Sequence, residues 1–230
     1  MHKIKKYNPT NTMSELICDN YPMLLVMSRF GIDLGFAEGT IAQVCQTNNV
    51  DLDTFLAVVN TLIAQNQKEV TPKGLSINSL IDYLHNSHSY FLEYRLPTIR
   101  QELIEALGSK NDAAVVILSY YDEYVAQVNE HMMHEEKSLF PSIKALVSGE
   151  KTTSGAVEID SKHHHRIEEK LSELKNILIK YYPAKSTNEL NNVLYDIFSC
   201  ERDLASHNSL EEVLLIPAIK EFEAKKTTKS

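Results

Sequence analysis

The stretch Ile117-Leu-Ser-Tyr-Tyr121-Asp-Glu-Tyr124-Val-Ala-Gln-Val128-Asn-Glu-His131-Met-Met-His-Glu135 reads as one face of a long helix. Its residues Ile117, Tyr121, Tyr124 and Val128 recur at alternating steps of four and three, the spacing that presents a narrow seam to neighbouring helices. The next two positions on that seam are His131 and Glu135, so apolar packing gives way to an imidazole and a carboxylate one turn apart. A second stretch repeats the pattern: Val193, Ile197, Cys200 and Leu204 lead to His207 and Glu211, and the seam resumes at Leu214. Aligned, His131-Met-Met-His-Glu135-Glu136-Lys-Ser-Leu139-Phe-Pro141 and His207-Asn-Ser-Leu-Glu211-Glu212-Val-Leu-Leu215-Ile-Pro217 form an internal repeat.

Two further segments carry one histidine each on their seams. In one, Ile77, Ile81 and Leu84 lead to His88, with Leu92, Leu96 and Ile99 beyond. In the other, Ile167, Leu171, Leu174 and Leu178 define the inward face, and one step back lands on His164, the middle of three consecutive histidines. His85 and His163 are the adjacent alternatives. The segments are broken at Gly108-Ser-Lys-Asn, at Ser148-Gly149 through Gly155, and at Tyr182-Pro183-Ala-Lys-Ser186. Short connections between four long helices predict an up-down-up-down bundle. Ser186-Thr-Asn-Glu189 is a capping-box pattern that opens the last helix.

The remaining sequence fits an all-α chain. From Thr12 to Ala64 the pattern is of three or four short helices, opened by the capping-box pattern Thr12-Met-Ser-Glu15 and interrupted by a turn at Phe30-Gly31-Ile-Asp-Leu-Gly35. The expected organisation is a small helical domain over 1–65, a linker over 66–75 within the polar stretch Gln65 to Gly74, a bundle over 76–224 and a tail over 225–230.

Composition narrows the function. With 31 acidic residues against 23 basic and a net charge of −8, the chain is not expected to follow a phosphate backbone. The basic start, Met1 to Lys6, is followed by Tyr-Asn-Pro-Thr-Asn-Thr where a signal peptide needs an apolar run, so no export signal is expected. No stretch reaches the roughly 18 to 20 apolar residues of a membrane span, which predicts a soluble, cytoplasmic protein. Cys18, Cys45 and Cys200 are widely spaced and lack Cys-x-x-Cys pairing, which argues against a disulfide framework or a cysteine metal site. They are expected to be buried small hydrophobes.

His88, His131, Glu135, His164, His207 and Glu211 are therefore the candidate metal ligands. Burying six ionisable groups at one level of a core costs several kcal/mol for each unpaired charge, and metal ligation removes that cost. Four imidazoles and two carboxylates suit a pair of ions, each taking two imidazoles while both carboxylates can bridge; the mixed set is compatible with iron or manganese. Incomplete coordination would leave room for an oxo or hydroxo bridge and a small ligand such as water, dioxygen or nitric oxide. His134-Glu135-Glu-Lys-Ser lacks the second histidine of His-Glu-x-x-His, so zinc-dependent peptide hydrolysis is not supported. Glu136, Glu212, His134 and His165 read as solvated or supporting groups, Met132 and Met133 as core, and Tyr121 and Tyr124 as packing residues.

These residues carry a resemblance. The chain resembles the hemerythrin-like di-iron proteins that repair iron–sulfur clusters, also labelled regulators of cell morphogenesis and nitric oxide signalling. His131 to Pro141 and His207-x-x-x-Glu211 are similar to that family's ligand motifs, and His164-His-Arg-Ile167 followed by Leu171 is similar to its single-histidine motif. In the first helix, counting back from Leu96-Pro97 puts the family's ligand at Ser89, whereas the seam reaches His88. Residues Glu15 to Thr61 resemble the family's small N-terminal domain through Asn20-Tyr-Pro22, Phe30-Gly-Ile-Asp33 and Thr40-Ile-Ala-Gln-Val-Cys45. Members carry a Cys-Cys pair just after the position of Asp33; here Leu34-Gly35-Phe36 stands instead. The resemblance implies two non-haem irons, with manganese or zinc as substitutes, and repair of iron–sulfur clusters after oxidative or nitrosative stress, by iron delivery or nitric oxide reduction, with damaged iron–sulfur proteins as clients. The alternative is a reversible dioxygen or nitric oxide carrier or sensor.

Overall fold

The structure is a computed structural model that describes residues 5–64, 74–108, 112–150, 161–182 and 187–227. Among these residues there are eight helices and no strand, only a single antiparallel bridge between Thr12 and Thr40. Four are short: α1 (Met13–Asp19), α2 (Met23–Arg29), α3 (Ile41–Thr47) and α4 (Leu52–Ala64). Four are long, and each contains one π-helical turn. Helix α5 comprises Ile77–Ser89, the turn Tyr90–Arg95 and Leu96–Leu107; α6 comprises Asp112–His134, the turn Glu135–Leu139 and Phe140–Ser148. Helix α7 comprises Ser161–Asn176 and the turn Ile177–Tyr181; α8 comprises Asn188–Leu210, the turn Glu211–Leu215 and Ile216–Thr227. The last helix thus enters the expected tail. Most of the expected linker, 65–73, lies outside the described residues, as do 109–111, 151–160 and 183–186.

The chain forms two compact units: residues 1–87, 143–153 and 209–230, and residues 88–142 and 154–208. In the first, α1 and α3 start from the same bridge, with Met13 N donating to Gly39 O and Ile41 N to Asn11 O. The Asn60 side chain clamps the incoming chain by accepting from Tyr7 N (2.8 Å) and donating to Tyr7 O (3.0 Å). Helix α2 ends at the predicted turn. Gly31 sits at φ +69°, a conformation that favours glycine, and lets Ile32 N reach back to Met27 O at 2.9 Å. Phe30 then packs on Phe55 and on Tyr83 at the start of α5.

Capping departs from expectation at α1. Thr12 caps α1 by accepting from Glu15 N, but the reciprocal half is missing because the Glu15 carboxylate accepts from Lys5 and Asn11 instead. The complete capping box belongs to Thr40 and Gln43 at α3. The predicted cap Ser186 lies outside the described residues; Thr187 Oγ1 accepts from Leu190 N and caps α8. Helix α5 is capped by Ser76, whose hydroxyl accepts from Ser79 N.

In the second unit the long helices run alternately up and down around one core. Antiparallel order is fixed by paired contacts: Tyr121 of α6 donates to Leu96 O of α5 at 2.8 Å while Arg100 binds Asp122. Tyr120 of α6 meets Glu173 of α7, Lys175 of α7 meets Glu201 of α8, and Arg95 of α5 meets Asp196 of α8. The core holds the predicted seam residues Ile117, Tyr121, Tyr124, Val128, Ile167, Leu171, Leu174, Leu178, Val193, Ile197, Cys200 and Leu204. Two expectations are corrected. On α5 Phe91 rather than Leu92 is the fully buried residue, because the π turn shifts the register there. Cys18 is exposed, on the outer face of the short helix α1, while Cys45 and Cys200 are buried as expected.

Candidate metal centre

The seams of the second unit end in polar side chains that solvent barely reaches. His88, His131, Glu135, His164 and His207 are each no more than 5% exposed. Helix periodicity places them: His131 and Glu135 share a face of α6, and His88 and His164 sit on the inward stripes of α5 and α7. Antiparallel packing brings the four stripes to one level. His88 Nε2 lies 3.2 Å from His207 Nε2, and His164 Nε2 lies 3.0 Å from His131 Nε2. Glu135 stands at both pairs, its Oε2 3.2 Å from His88 Nε2 and its Oε1 3.6 Å from His131 Nε2.

Ligand atoms of His88, Glu135 and His207 all lie within 4.8 Å of one another, as do those of His131, Glu135 and His164. Glu211, the sixth candidate, is fully buried. It stands one turn beyond His207 on the same unbroken helix, which fixes its place relative to that histidine. The structure therefore gathers five of the six candidate residues, His88, His131, Glu135, His164 and His207.

Neighbouring groups define how the ligands are held. His88 Nδ1 donates to Glu136 Oε1 at 2.7 Å. A carboxylate accepts only, so this bond fixes the tautomer and leaves the Nε2 lone pair facing the cluster, the arrangement typical of metal-binding histidines. The His88 ring is stacked on Phe140, with centroids 5.4 Å apart and planes 8° from parallel. His207 meets the edge of Phe91, and His164 packs edge-on against His131. Of the two roles the sequence leaves open for Glu136, solvated or supporting, the structure places it in the second, as the partner of His88.

The alternatives separate by position. His85 is exposed and Ser89 is half-buried, outside both groups. The side chains of His163 and His165 lie outside the described residues. His134 and Glu212 are exposed, and Met132, Tyr121 and Tyr124 are buried in packing.

The donor set fits a pair of first-row transition ions. It offers four neutral imidazole nitrogens and two hard carboxylates with no thiolate, a composition suited to iron or manganese in a helical bundle and unsuited to an iron–sulfur cluster. Imidazole nitrogens converging at about 3 Å in a dry core need either a shared proton or a cation between them. One shared carboxylate between two imidazole pairs is the arrangement in which an oxygen ligand can bridge two ions.

Comparison with known proteins agrees. The chain is 20% identical over 210 residues, covering 88% of its own length and 95% of the relative, to the iron-sulfur cluster repair protein ScdA of Staphylococcus haemolyticus (strain JCSC1435). The Hemerythrin HHE cation binding domain matches residues 79–219, which includes all six candidate residues. With well over half of its length matched, the chain belongs to the hemerythrin HHE cation binding domain family.

Proposed function

We propose that this protein holds two non-haem irons on His88, His131, Glu135, His164, His207 and Glu211 and serves in the restoration of iron–sulfur clusters damaged by oxidative or nitrosative stress. The observation that carries the metal reading is the buried convergence of two imidazole pairs on one shared carboxylate. The likeness to an iron–sulfur cluster repair protein along nearly the full length of both chains supports the role. Bound irons would supply one-electron steps between ferrous and ferric states. The residues of the chain would hold them apart from solvent, with His88 oriented through Glu136 and Glu135 placed to be shared. Iron delivery to damaged clusters and reduction of nitric oxide are the two candidate outputs, and the cytoplasm is the proposed compartment. No described helix is long and apolar enough to cross a membrane.

The test is metal content with an optical spectrum on anaerobically purified protein, alongside a His131→Ala, His207→Ala double variant. Two irons per chain with near-ultraviolet oxo-to-iron charge transfer, both lost in the variant, is the expected result. Absence of stoichiometric metal from the parent protein would end the di-iron reading.

A second reading is a reversible dioxygen or nitric oxide carrier or sensor. It is favoured by one observation: where the family has a Cys-Cys pair, this chain has an exposed loop, Asp33-Leu34-Gly35, with no thiol. Multiple-turnover consumption of nitric oxide by the reduced protein would exclude it. Stoichiometric, reversible binding without repair of a damaged cluster would favour it.

A further inference from the structure

The π turns of the long helices share one feature of sequence. Their closing bonds run from Leu96 N to Phe91 O, from Phe140 N to Glu135 O, from Tyr182 N to Ile177 O and from Ile216 N to Glu211 O. In every case the residue after the donor is proline: Pro97, Pro141, Pro183 and Pro217. A proline inside an α-helix lacks the N–H that would bond four residues back, and its ring collides with the carbonyl there. Widening the preceding turn by one residue moves that carbonyl aside and lets the helix continue. In α5, α6 and α8, where the helix runs on past the proline, the turn is thus written into the chain, whereas α7 ends at its turn.

The consequence is a register shift, clearest in α6. Buried residues step by three and four through Tyr124, Val128, His131 and Glu135, then by five to Phe140 and by three to Ile143. Phe140 is held in place by its stack on His88. Were the helix α-helical between them, the residue one turn before Phe140 would be Glu136, and Glu135 would turn about 100° away from that face. The extra residue of the π turn allows three things together: Glu135 faces the cluster, Glu136 reaches His88 Nδ1, and Phe140 backs the same ring.

We propose that Pro141 is a positioning residue for the metal centre, holding open the π turn that presents Glu135 rather than Glu136 to the ions. This rests on the di-metal reading above. The experiment is anaerobic ferrous titration of the full-length apo-protein, with thermal unfolding, for wild type, P141A, and P141A lacking the exposed residue Lys137. Alanine at 141 supplies the missing N–H and has high helix propensity, so the turn closes. The apo-protein of P141A is expected to melt no lower than wild type while iron affinity falls at least tenfold, opposite signs that a merely structural proline would not produce. Removing Lys137 as well deletes the extra residue, restores Glu135 to one turn before Phe140, and returns affinity toward wild type. Unchanged iron binding by P141A overturns the proposal, as does failure of the Lys137 deletion to improve on P141A in binding or in folding. A wild-type protein that binds no iron refutes the di-metal reading instead.

Discussion

Replacing Glu136 with glutamine tests how the centre is held without touching a candidate ligand. In the structure Glu136 Oε1 accepts from His88 Nδ1 at 2.7 Å, and the Glu136 side chain is only 20% exposed. The carboxylate admits one tautomer of His88, with the Nε2 lone pair toward Glu135 and His207. A glutamine can turn its amide NH2 toward Nδ1, stabilising the opposite tautomer, which points a proton at the ion. A hydrogen bond to a charged group contributes about 1.5 to 3 kcal/mol. Loss of such an orienting partner typically weakens metal binding by roughly 10- to 100-fold, or about 1.4 to 2.8 kcal/mol at about 1.4 kcal/mol per decade, so the two scales agree. The effect should be local. His88 belongs with His207, whereas His131 and His164 form the other pair, so ferrous titration of Glu136→Gln is expected to become biphasic, one iron nearly unaffected and the other weakened by one to two decades. Folding should change little, because the His88 ring keeps its stack on Phe140. Equal weakening at both ions, or none at either, would refute the assignment of Glu136 as the group that orients His88.

Other expectations follow from individual contacts. Tyr121→Phe removes a hydroxyl that donates to Leu96 O inside the core and should cost about 1 kcal/mol in chemical denaturation. Tyr124→Phe should shift stability by less than about 0.5 kcal/mol, since that buried hydroxyl sits beside the Cys200 thiol, a weak partner. Burial, reinforced by Asp196 alongside, raises the Glu102 carboxyl above its ordinary range. A carboxyl raised in the folded state contributes stability at acid pH that is lost as pH climbs through the folded value. Glu102→Gln should therefore raise the melting temperature near pH 7 and leave it unchanged near pH 4. Cys45 is pushed up to about 12 by burial and Cys200 is buried, so alkylation of the native protein followed by mass spectrometry should label Cys18 alone. Rapid labelling of either other cysteine would show that the native packing opens.

Periodicity read from the sequence located the stripes because a seam depends only on step length, and steps of three and four survive wherever the backbone is α-helical. His131 with Glu135, His207 with Glu211, and the run from Ile167 to Leu178 all fall within such stretches, and their burial follows the pattern. The pattern misleads where the step length itself changes. Carrying the step of four from His88 to Leu92 and on to Leu96 returns to the correct residue at Leu96 while naming the wrong one between, since the π turn absorbs one residue and buries Phe91. The same turn separates counting back from Pro97, which reaches Ser89, from counting forward along the seam, which reaches His88.

The capping pattern at α1 misleads for a related reason. A pattern such as Thr-x-x-Glu states which groups are within reach of one another and is silent about competitors, and Lys5 and Asn11 take the Glu15 carboxylate. Cys18 was assigned to the interior from its chemistry, yet α1 has only seven residues and its inward face is filled by Met13 and Leu16. In the metal centre the competitors matter more. Glu135 and Glu136 are identical in type and adjacent in sequence; the seam counted forward from Val128 reaches Glu135, whereas one α-helical turn counted back from the buried Phe140 reaches Glu136. What separates their roles is the width of a single helical turn, and that width is recorded in the sequence six residues on, as Pro141. A proline in the middle of a long amphipathic helix is therefore a statement about the turn before it, and here that turn begins at the carboxylate the two imidazole pairs share.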